Sequence, residues 1–133
     1  MTKYKHKIDV LLVNAPGKER VYQSLANEFA AHEPPIWAGF LAEYVRKNGH
    51  SVEILDAEAL RLSYKQTVEE IRGCRPLLTV FVVYGQQPSA STQCMAAAGD
   101  VARMLKQESP DLLVMFMGTH SAALPERTLR EEA

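Results

Sequence analysis

Cysteine is scarce in this chain of 133 residues, and long apolar runs and a surplus of basic residues are missing. The two cysteines, Cys74 and Cys94, fit neither a CxxC nor a zinc pattern, which favours a reducing cytosol. Apolar runs reach about eight residues, whereas a membrane-spanning helix needs roughly 20, and no signal peptide opens the chain. The net charge of −1 gives no support for nucleic-acid binding. We therefore expect a soluble cytoplasmic protein that binds neither membranes nor nucleic acid.

Several familiar site motifs are also missing. No Gly-x-Gly-x-x-Gly follows the first apolar run and no Walker A lysine loop occurs, which disfavours classical dinucleotide and nucleoside-triphosphate sites. The Gly-x-Ser-x-Gly elbow of serine hydrolases is absent as well. The length and the 47% apolar content fit one globular domain with a core of its own.

Four short apolar runs alternate with helical patterns along the chain. They predict buried strands at Ile8–Asn14, Ser51–Asp56, Leu77–Tyr84 and Leu112–Met117. The helical patterns run from Pro34-Pro35 to Gly49, from Ser63 to Gly73, from Thr92 to Glu108 and from Pro125 to Glu132. This alternation predicts an α/β fold, a doubly wound parallel sheet with helices on both faces.

Some segments carry further expectations. Residues 1–7 are polar and basic and are expected to be disordered. Residues 17–33 form either a functional loop or a short helix around Tyr22–Phe29. In the first long helix, the predicted apolar face consists of Ile36, Phe40, Leu41, Tyr44 and Val45, with Trp37 interpreted as a packing residue. No strand follows the final helix, so we expect the chain to be truncated before a fifth strand, as part of a longer protein or a truncated product.

Ligands of open parallel sheets bind beyond the carboxyl ends of the strands. Here that rule selects the loops at 14–16, 56–57, 84–92 and 118–120. The third is rich in Gln, Ser and Thr and leads into a helix, whose free N–H groups suit phosphate or amide groups. Ordinary helix capping is the alternative explanation, but a cap needs one such residue and this loop offers five polar side chains.

The segment from Pro34 to Ala57 resembles the "PPLGLAYLAAYLRKAGHEVEIIDA" stretch of the N-terminal cobalamin-binding domain of cobalamin-dependent radical S-adenosylmethionine enzymes. Residues 118–126 resemble the "GGxHxTxxPE" turn of that family, and the segments Asn14-Ala15-Pro16 and Gln87-Pro88-Ser89 also match. The resemblance covers residues 8–131. It implies a flavodoxin-like sheet in the strand order 2-1-3-4, with residues 1–133 as one cobalamin-binding domain.

The resemblance also implies which residues contact the cofactor. Asn14 and Pro16 would lie by the corrin or its amides, and the nucleotide tail would run between sheet and helix. The corrin amides or the tail would be bound by Gln86, Gln87, Ser89, Ser91 and Thr92. Gly118, Thr119 and His120 would border the tail or ring, although Thr119 replaces a glycine of the family turn. Tyr84 ends the central strand near this site and is a candidate contact.

Two missing motifs refine the implied chemistry. The chain lacks Asp-x-His-x-x-Gly, whose histidine ligates cobalt from below in other cobalamin domains. A cobalt without that ligand is easier to reduce and re-methylate, which implies a methyltransferase with cobalt as the methyl carrier. The chain also lacks Cys-x3-Cys-x2-Cys for a [4Fe-4S] cluster. S-adenosylmethionine and iron–sulfur chemistry would then belong to a radical domain of the parent enzyme, beyond residue 133, and this chain alone would not be catalytic.

Two alternatives remain open. The chain could be a flavodoxin-like module for another cofactor, such as a flavin or nucleotide, or a non-catalytic interaction domain. In the order 2-1-3-4 the apolar fourth strand is an edge, and natural proteins rarely leave such an edge free. We therefore expect a homodimer through this strand, or aggregation.

Overall fold

The structure, a computed structural model, describes residues 7–17, 34–84 and 88–132. The expectations for residues 1–6 and for a short helix around Tyr22–Phe29 fall outside these ranges. The strands are β1 (Val10–Asn14), β2 (Val52–Asp56), β3 (Leu78–Val82) and β4 (Leu113–Met117). The helices are α1 (Ile36–Lys47), α2 (Tyr64–Cys74), α3 (Pro88–Glu108), α4 (Thr119–Ala123) and α5 (Pro125–Glu132).

The four strands form one parallel sheet in the order β2-β1-β3-β4, which confirms the predicted flavodoxin-like fold and strand order. Leu12 of β1 lies opposite Ile54 of β2 and Val80 of β3. Because side chains alternate along a strand, this register sets which residues share a face of the sheet.

The two faces of the sheet are covered unequally. One face packs against α2 and α3 in a large core that includes Leu11, Phe81, Ile71 and Leu105. The other face packs against α1 in a smaller core of Leu12, Ala38, Ala42, Val80 and Val82. The large core supplies most of the apolar burial in the described part of the chain, whereas the smaller one sets the position of α1.

The predicted buried face of α1 is correct only in part. Leu41 and Val45 of that face are half-buried, whereas Ile36, Phe40 and Tyr44 are exposed. The residues that the helix buries are Ala38 and Ala42. Small side chains let the helix axis approach the sheet closely, and the aromatic side chains then point away from the contact. Gly49 does take the left-handed conformation (φ 84°) predicted for the end of this helix.

The first residues of α2 and α3 explain why these two helices begin where they do. Ser63 and Gln66 form the predicted capping box, because the Gln66 N–H donates to Ser63 Oγ and the Ser63 N–H donates to Gln66 Oε1. Helix α3 begins at Pro88 rather than at Thr92, so the predicted polar loop ends earlier than expected. Proline suits the first position of a helix, since its fixed φ is helical and its missing N–H would have no partner there.

Strand β4 lies at the edge of the sheet, as predicted, but it is less buried than the apolar sequence indicates. Leu113 is 64% exposed and Met115 47% exposed, on the same face as α1. Helix α1 packs mainly over β1 and β2. After β4, the chain forms the short α4 and the predicted α5, which packs on α3 through an ion pair between Glu132 and Arg103. Within the described residues, no helix is both long and apolar enough to cross a membrane.

Candidate functional site

All four strands are parallel, so their carboxyl ends meet at one edge of the sheet. Asn14, Asp56, Val82 and Met117 are the last residues of the strands, and we call this side of the molecule the carboxyl edge. Helix α1 begins at the same edge because each helix returns the chain antiparallel to the preceding strand. The described residues among those predicted to bind a cofactor follow the strands at this edge, where ligands of open parallel sheets bind.

Asn14 and Asp56 are joined across the ends of β1 and β2. Asn14 Nδ2 donates a hydrogen bond of 2.8 Å to Asp56 Oδ1, which also accepts from the Ala59 N–H. The Ala57 N–H donates to the Asn14 carbonyl at 3.0 Å. The carboxylate thus caps the loop after β2 and also fixes the orientation of the Asn14 amide, a half-buried group at the predicted site.

Tyr84 lies two residues beyond the end of β3 and stacks on Trp37 in the first turn of α1. The ring centroids are 5.0 Å apart and the planes are inclined by 26°. The ring of Phe40 lies edge-to-face to Trp37, with the ring centroids 6.0 Å apart. Tyr84 is half-buried, whereas Trp37 is 53% exposed. Trp37 therefore packs on its neighbours, as expected, with only part of its surface, and the rest of the indole faces solvent.

Gly118 follows β4 and closes the edge between β3 and β4. The Val83 N–H donates to the Met117 carbonyl at 2.6 Å, so the two chains stay paired beyond their last strand residues. A Cβ at position 118 would lie 2.0 Å from the Val83 carbonyl oxygen. Glycine is required here by close backbone packing, which is a structural role at the position that the resemblance assigns to the cofactor border.

Thr92 and His120 connect α3 to α4 at the carboxyl edge. His120 Nδ1 lies 3.1 Å from Thr92 Oγ1, within hydrogen-bond distance. Ser121 Oγ donates to the Gly118 carbonyl at 3.1 Å, which holds the first turn of α4. Thr119, which lies between Gly118 and His120, is exposed to solvent. An imidazole and two hydroxyl-bearing residues therefore follow β4 at the predicted site.

The remaining predicted contacts are only partly described. Pro16 is half-buried beside Gly17, whose N–H donates to Glu58 Oε2 at 2.6 Å. Ser89 and Ser91 belong to the first turns of α3, but their side chains lie outside the described part, as do Gln86 and Gln87 altogether. The structure thus brings Asn14 to Asp56, Tyr84 to Trp37 and Thr92 to His120.

The clear pKa shifts of the described residues lie away from this edge. Two hydrogen bonds from Ser51, one from its N–H and one from its hydroxyl, hold the pKa of Asp9 below its usual value. Carboxylates of Asp100 and Glu132 raise the pKa of the Arg103 guanidinium. Among the described residues, no group of three or more His, Cys, Asp or Glu side chains could hold a metal ion.

The sequence analysis did not identify the exposed, stacked position of Trp37 or the hydrogen bond of Asp56 to Asn14. The exposed position of Trp37 could have been inferred from Ala38 and Ala42, because a helix with a face of small residues can bury that face and expose its aromatic one. The signal for Asp56 was its place opposite Asn14 once the register of β1 and β2 is known.

Comparison with known proteins identifies the family. The family model described as "B12 binding domain" matches residues 22–133. The chain is 27% identical over 111 residues to an anaerobic magnesium-protoporphyrin IX monomethyl ester cyclase of Rubrivivax gelatinosus, covering 83% of this chain and 19% of the relative. It is 30% identical over 98 residues to an uncharacterized methyltransferase of Pyrococcus horikoshii, covering 74% of this chain and 20% of the relative.

The chain therefore spans about one fifth of the length of these two curated relatives. No solved structure matches it significantly. The family match covers most of the described residues, including the whole sheet except β1 and all five helices. With the fold and the polar carboxyl edge, it confirms the predicted cobalamin-binding domain: this chain belongs to the B12 binding domain family.

Proposed function

We propose that this chain is the cobalamin-binding domain of a radical S-adenosylmethionine enzyme that transfers methyl groups. The observation that carries the proposal is the meeting of polar and aromatic side chains at the carboxyl edge of a B12 binding domain. A methyltransferase and a cyclase are among the relatives, and the motifs at residues 34–57 and 118–126 support the radical-enzyme class.

The residues at the carboxyl edge fit this cofactor by their chemistry. A corrin ring carries amide side chains around an apolar macrocycle, so it needs neutral hydrogen-bonding groups beside apolar surface. Asn14, Thr92 and His120 offer amide, hydroxyl and imidazole groups, while Trp37 and Tyr84 offer aromatic surface. When bound, cobalamin supplies a cobalt centre that carries a methyl group.

The protein contributes positioning in this proposal. Asp56 orients the amide of Asn14, which would bind the corrin side chains, and His120 and Thr92 hold each other where the chain follows β4. The nucleotide tail of the cofactor would lie between the sheet and a helix, as the resemblance to the family implies.

We propose that no histidine of this chain ligates cobalt from below. The Asp-x-His-x-x-Gly motif is missing from the sequence, and the ring of His120 faces Thr92 through Nδ1. Reduced Co(II) cobalamin bound to the chain should give an electron paramagnetic resonance spectrum without splitting from a histidine nitrogen. Nitrogen splitting that disappears on His120→Ala substitution would contradict this proposal.

The radical chemistry requires groups that these residues do not provide. Cys74 is buried and Cys94 half-buried, and the three-cysteine motif of a [4Fe-4S] cluster does not occur in the sequence. We propose that S-adenosylmethionine and the cluster serve the parent enzyme, and that this chain alone binds cobalamin without methyl-transfer activity.

A competition experiment separates cobalamin from other cofactors of flavodoxin-like domains. The chain is incubated with hydroxocobalamin, flavin mononucleotide or a nucleotide, and the bound fraction is measured by equilibrium dialysis. The proposal predicts that cobalamin is retained in the presence of excess flavin and nucleotide. Preferential retention of flavin mononucleotide would favour the alternative module, to which the polar start of α3 is equally suited.

We also propose that the open edge of β4 mediates self-association. Leu113 and Met115 are exposed, and an apolar groove of about 440 Å³ runs beside the strand, lined by Phe116, Leu129 and other residues. An uncharged, apolar edge strand is a template for pairing with a second strand. We propose that a second copy of this chain pairs with β4 when the purified chain is the only protein present.

A further inference from the structure

A basic cavity lies at the end of the sheet opposite the carboxyl edge, where the chain enters β3 and β4. Its volume is about 320 Å³, at the lower end of the range for small-ligand sites. Three of its six lining residues are cations and none is acidic, in a chain whose net charge is −1. The lining consists of Lys7, Arg72, Arg75, Pro76, Ser109 and Leu112.

The three cations of this cavity are neutralised to different degrees. Arg72 donates to Glu108 Oε2 at 2.5 Å, and this ion pair joins the ends of α2 and α3 beside the cavity. Lys7 interacts electrostatically with Asp9. Arg75 forms no ion pair with any residue in the described part of the chain, and its side chain is exposed. The N–H donors of its guanidinium are therefore available to a ligand at the cavity.

Arg75 also has an unfavourable backbone conformation. It is the residue at which α2 ends, and its φ of 49° and ψ of 51° lie in the left-handed region. Glycine adopts this conformation readily, whereas a residue with a Cβ does so at a cost in free energy. Arg61 is left-handed as well, with φ 53°, but it does not line the cavity. The combination of strain, an unpaired guanidinium and a cavity is therefore particular to Arg75.

The chemistry of the lining suits an anion with several oxygen atoms. A guanidinium donates parallel N–H bonds to two oxygens of a phosphate, and a lysine ammonium adds a compact positive charge. The half-buried Ser109 contributes a hydroxyl that can donate to a further oxygen. A diphosphate carries its charge on two linked groups, so it can contact cations on opposite sides of one cavity. A single small anion would leave much of this volume empty.

We propose that the cavity lined by Lys7, Arg72 and Arg75 binds a diphosphate group, either as free pyrophosphate or as part of a nucleotide. Arg75 is the main binding residue, and Glu108 positions Arg72 at the wall of the cavity. The inference is independent of the proposed cobalamin-binding function, because the cavity and the carboxyl edge lie at opposite ends of the sheet.

The test measures binding and stability on the same variants. The chain is titrated with inorganic pyrophosphate by isothermal titration calorimetry at an ionic strength of about 0.15 M, where charges are screened beyond about 8 Å. One pyrophosphate per chain is expected. Arg75→Gly should weaken binding by about tenfold, because a charge-assisted contact is lost. It should also raise the midpoint of urea unfolding, because glycine relieves the left-handed conformation.

Arg61→Gly is the matched control, since it relieves the same backbone conformation outside the cavity. It should raise the urea midpoint and leave pyrophosphate binding unchanged. A parallel titration with adenosine diphosphate distinguishes the two sources of the group, because tighter binding than that of pyrophosphate would identify a nucleotide. Failure of the unsubstituted chain to bind either compound would overturn the inference. Equal pyrophosphate affinity of the Arg75→Gly and Arg61→Gly variants would do so as well.

Discussion

Asn14 and Asp56 are 42 residues apart in sequence, yet their side chains are joined by a 2.8 Å hydrogen bond at the ends of neighbouring strands. The bond exists because β1 and β2 are parallel and in register, with Asn14 directly opposite Asp56. It fixes an amide at the carboxyl edge, where the proposed cofactor lies. We therefore expect the stability of this edge and the binding of cobalamin to be coupled.

Replacing Asp56 with alanine should affect both properties. The substitution removes hydrogen bonds from Asn14 and from the Ala59 N–H, so the free energy of unfolding should fall by about 1–3 kcal/mol. Cobalamin affinity should fall as well, because the Asn14 amide is no longer oriented. Urea unfolding and equilibrium dialysis measure the two effects. Glu53→Ala, at an exposed position of the same strand, should change neither.

Gly118 offers a sharp test of the backbone geometry. Alanine at this position would place a Cβ 2.0 Å from the Val83 carbonyl oxygen, and the paired chains after β3 and β4 would have to separate. We expect a loss of about 2–3 kcal/mol in unfolding free energy. Gly39→Ala is the control, since its Cβ would meet nothing within 4 Å and an alanine in a helix should stabilise by about 0.5–1 kcal/mol. Equal stability of the two variants would be inconsistent with the described packing.

The bond between His120 and Thr92 is best measured by a double-mutant cycle. Thr92→Val and His120→Ala each remove one partner, and the coupling energy between them should be about 0.5–1.5 kcal/mol in unfolding free energy. Each single variant should also bind hydroxocobalamin more weakly, since both side chains lie at the proposed site. A coupling energy of zero would mean that the contact between His120 and Thr92 does not stabilise the folded chain.

Much of the fold follows from the sequence. Four apolar runs predicted the strands, because a parallel sheet buried on both faces needs continuous apolar segments such as Val10–Val13. The buried face of α1 could not be predicted in the same way. Hydrophobicity favours the aromatic side chains, whereas close packing on the sheet favours Ala38 and Ala42, and only the position of the neighbouring elements decides between them.

The location of the candidate site stays a prediction, and its side-chain contacts could be foreseen only in part. The carboxyl edge follows from the topology, and the motifs at 34–57 and 118–126 carry the resemblance to the family in the sequence itself. The pairings of Asn14 with Asp56 and of Trp37 with Tyr84 depend on strand register and on the rotation of a helix about its axis. Neither quantity can be read from one sequence.

Asp9 lies just before β1, at the end of the sheet opposite the carboxyl edge, and it predicts a pH dependence of the unfolding free energy that does not involve the site. Asp9 Oδ2 accepts hydrogen bonds from the Ser51 N–H and hydroxyl, which lowers the pKa of Asp9 below its usual 3.8. A lowered carboxyl pKa contributes stability above the usual value, and this contribution is lost as pH falls through the folded-state pKa. Asp9→Asn should therefore destabilise the chain at neutral pH, with the difference shrinking below pH 3.8. A difference independent of pH would contradict this assignment.

The proposed self-association through β4 predicts a concentration-dependent oligomer. Sedimentation velocity of the chain should show dimers, or larger species, at high protein concentration. Met115→Lys places a charge on the exposed edge strand, which should disfavour strand pairing and give a monomer. A lysine at Glu53, on the opposite edge strand, should leave the association unchanged. A clean monomer of the unsubstituted chain at high concentration would refute the proposed dimer.

Binding of cobalamin tests the account most directly. The purified chain is mixed with hydroxocobalamin and passed through a desalting column, and the visible spectrum of the protein fraction is recorded. Retention of corrin absorbance at close to one cofactor per chain is the predicted result. A colourless protein fraction, with the fold shown to be intact by circular dichroism, would contradict the proposed function of this carboxyl edge.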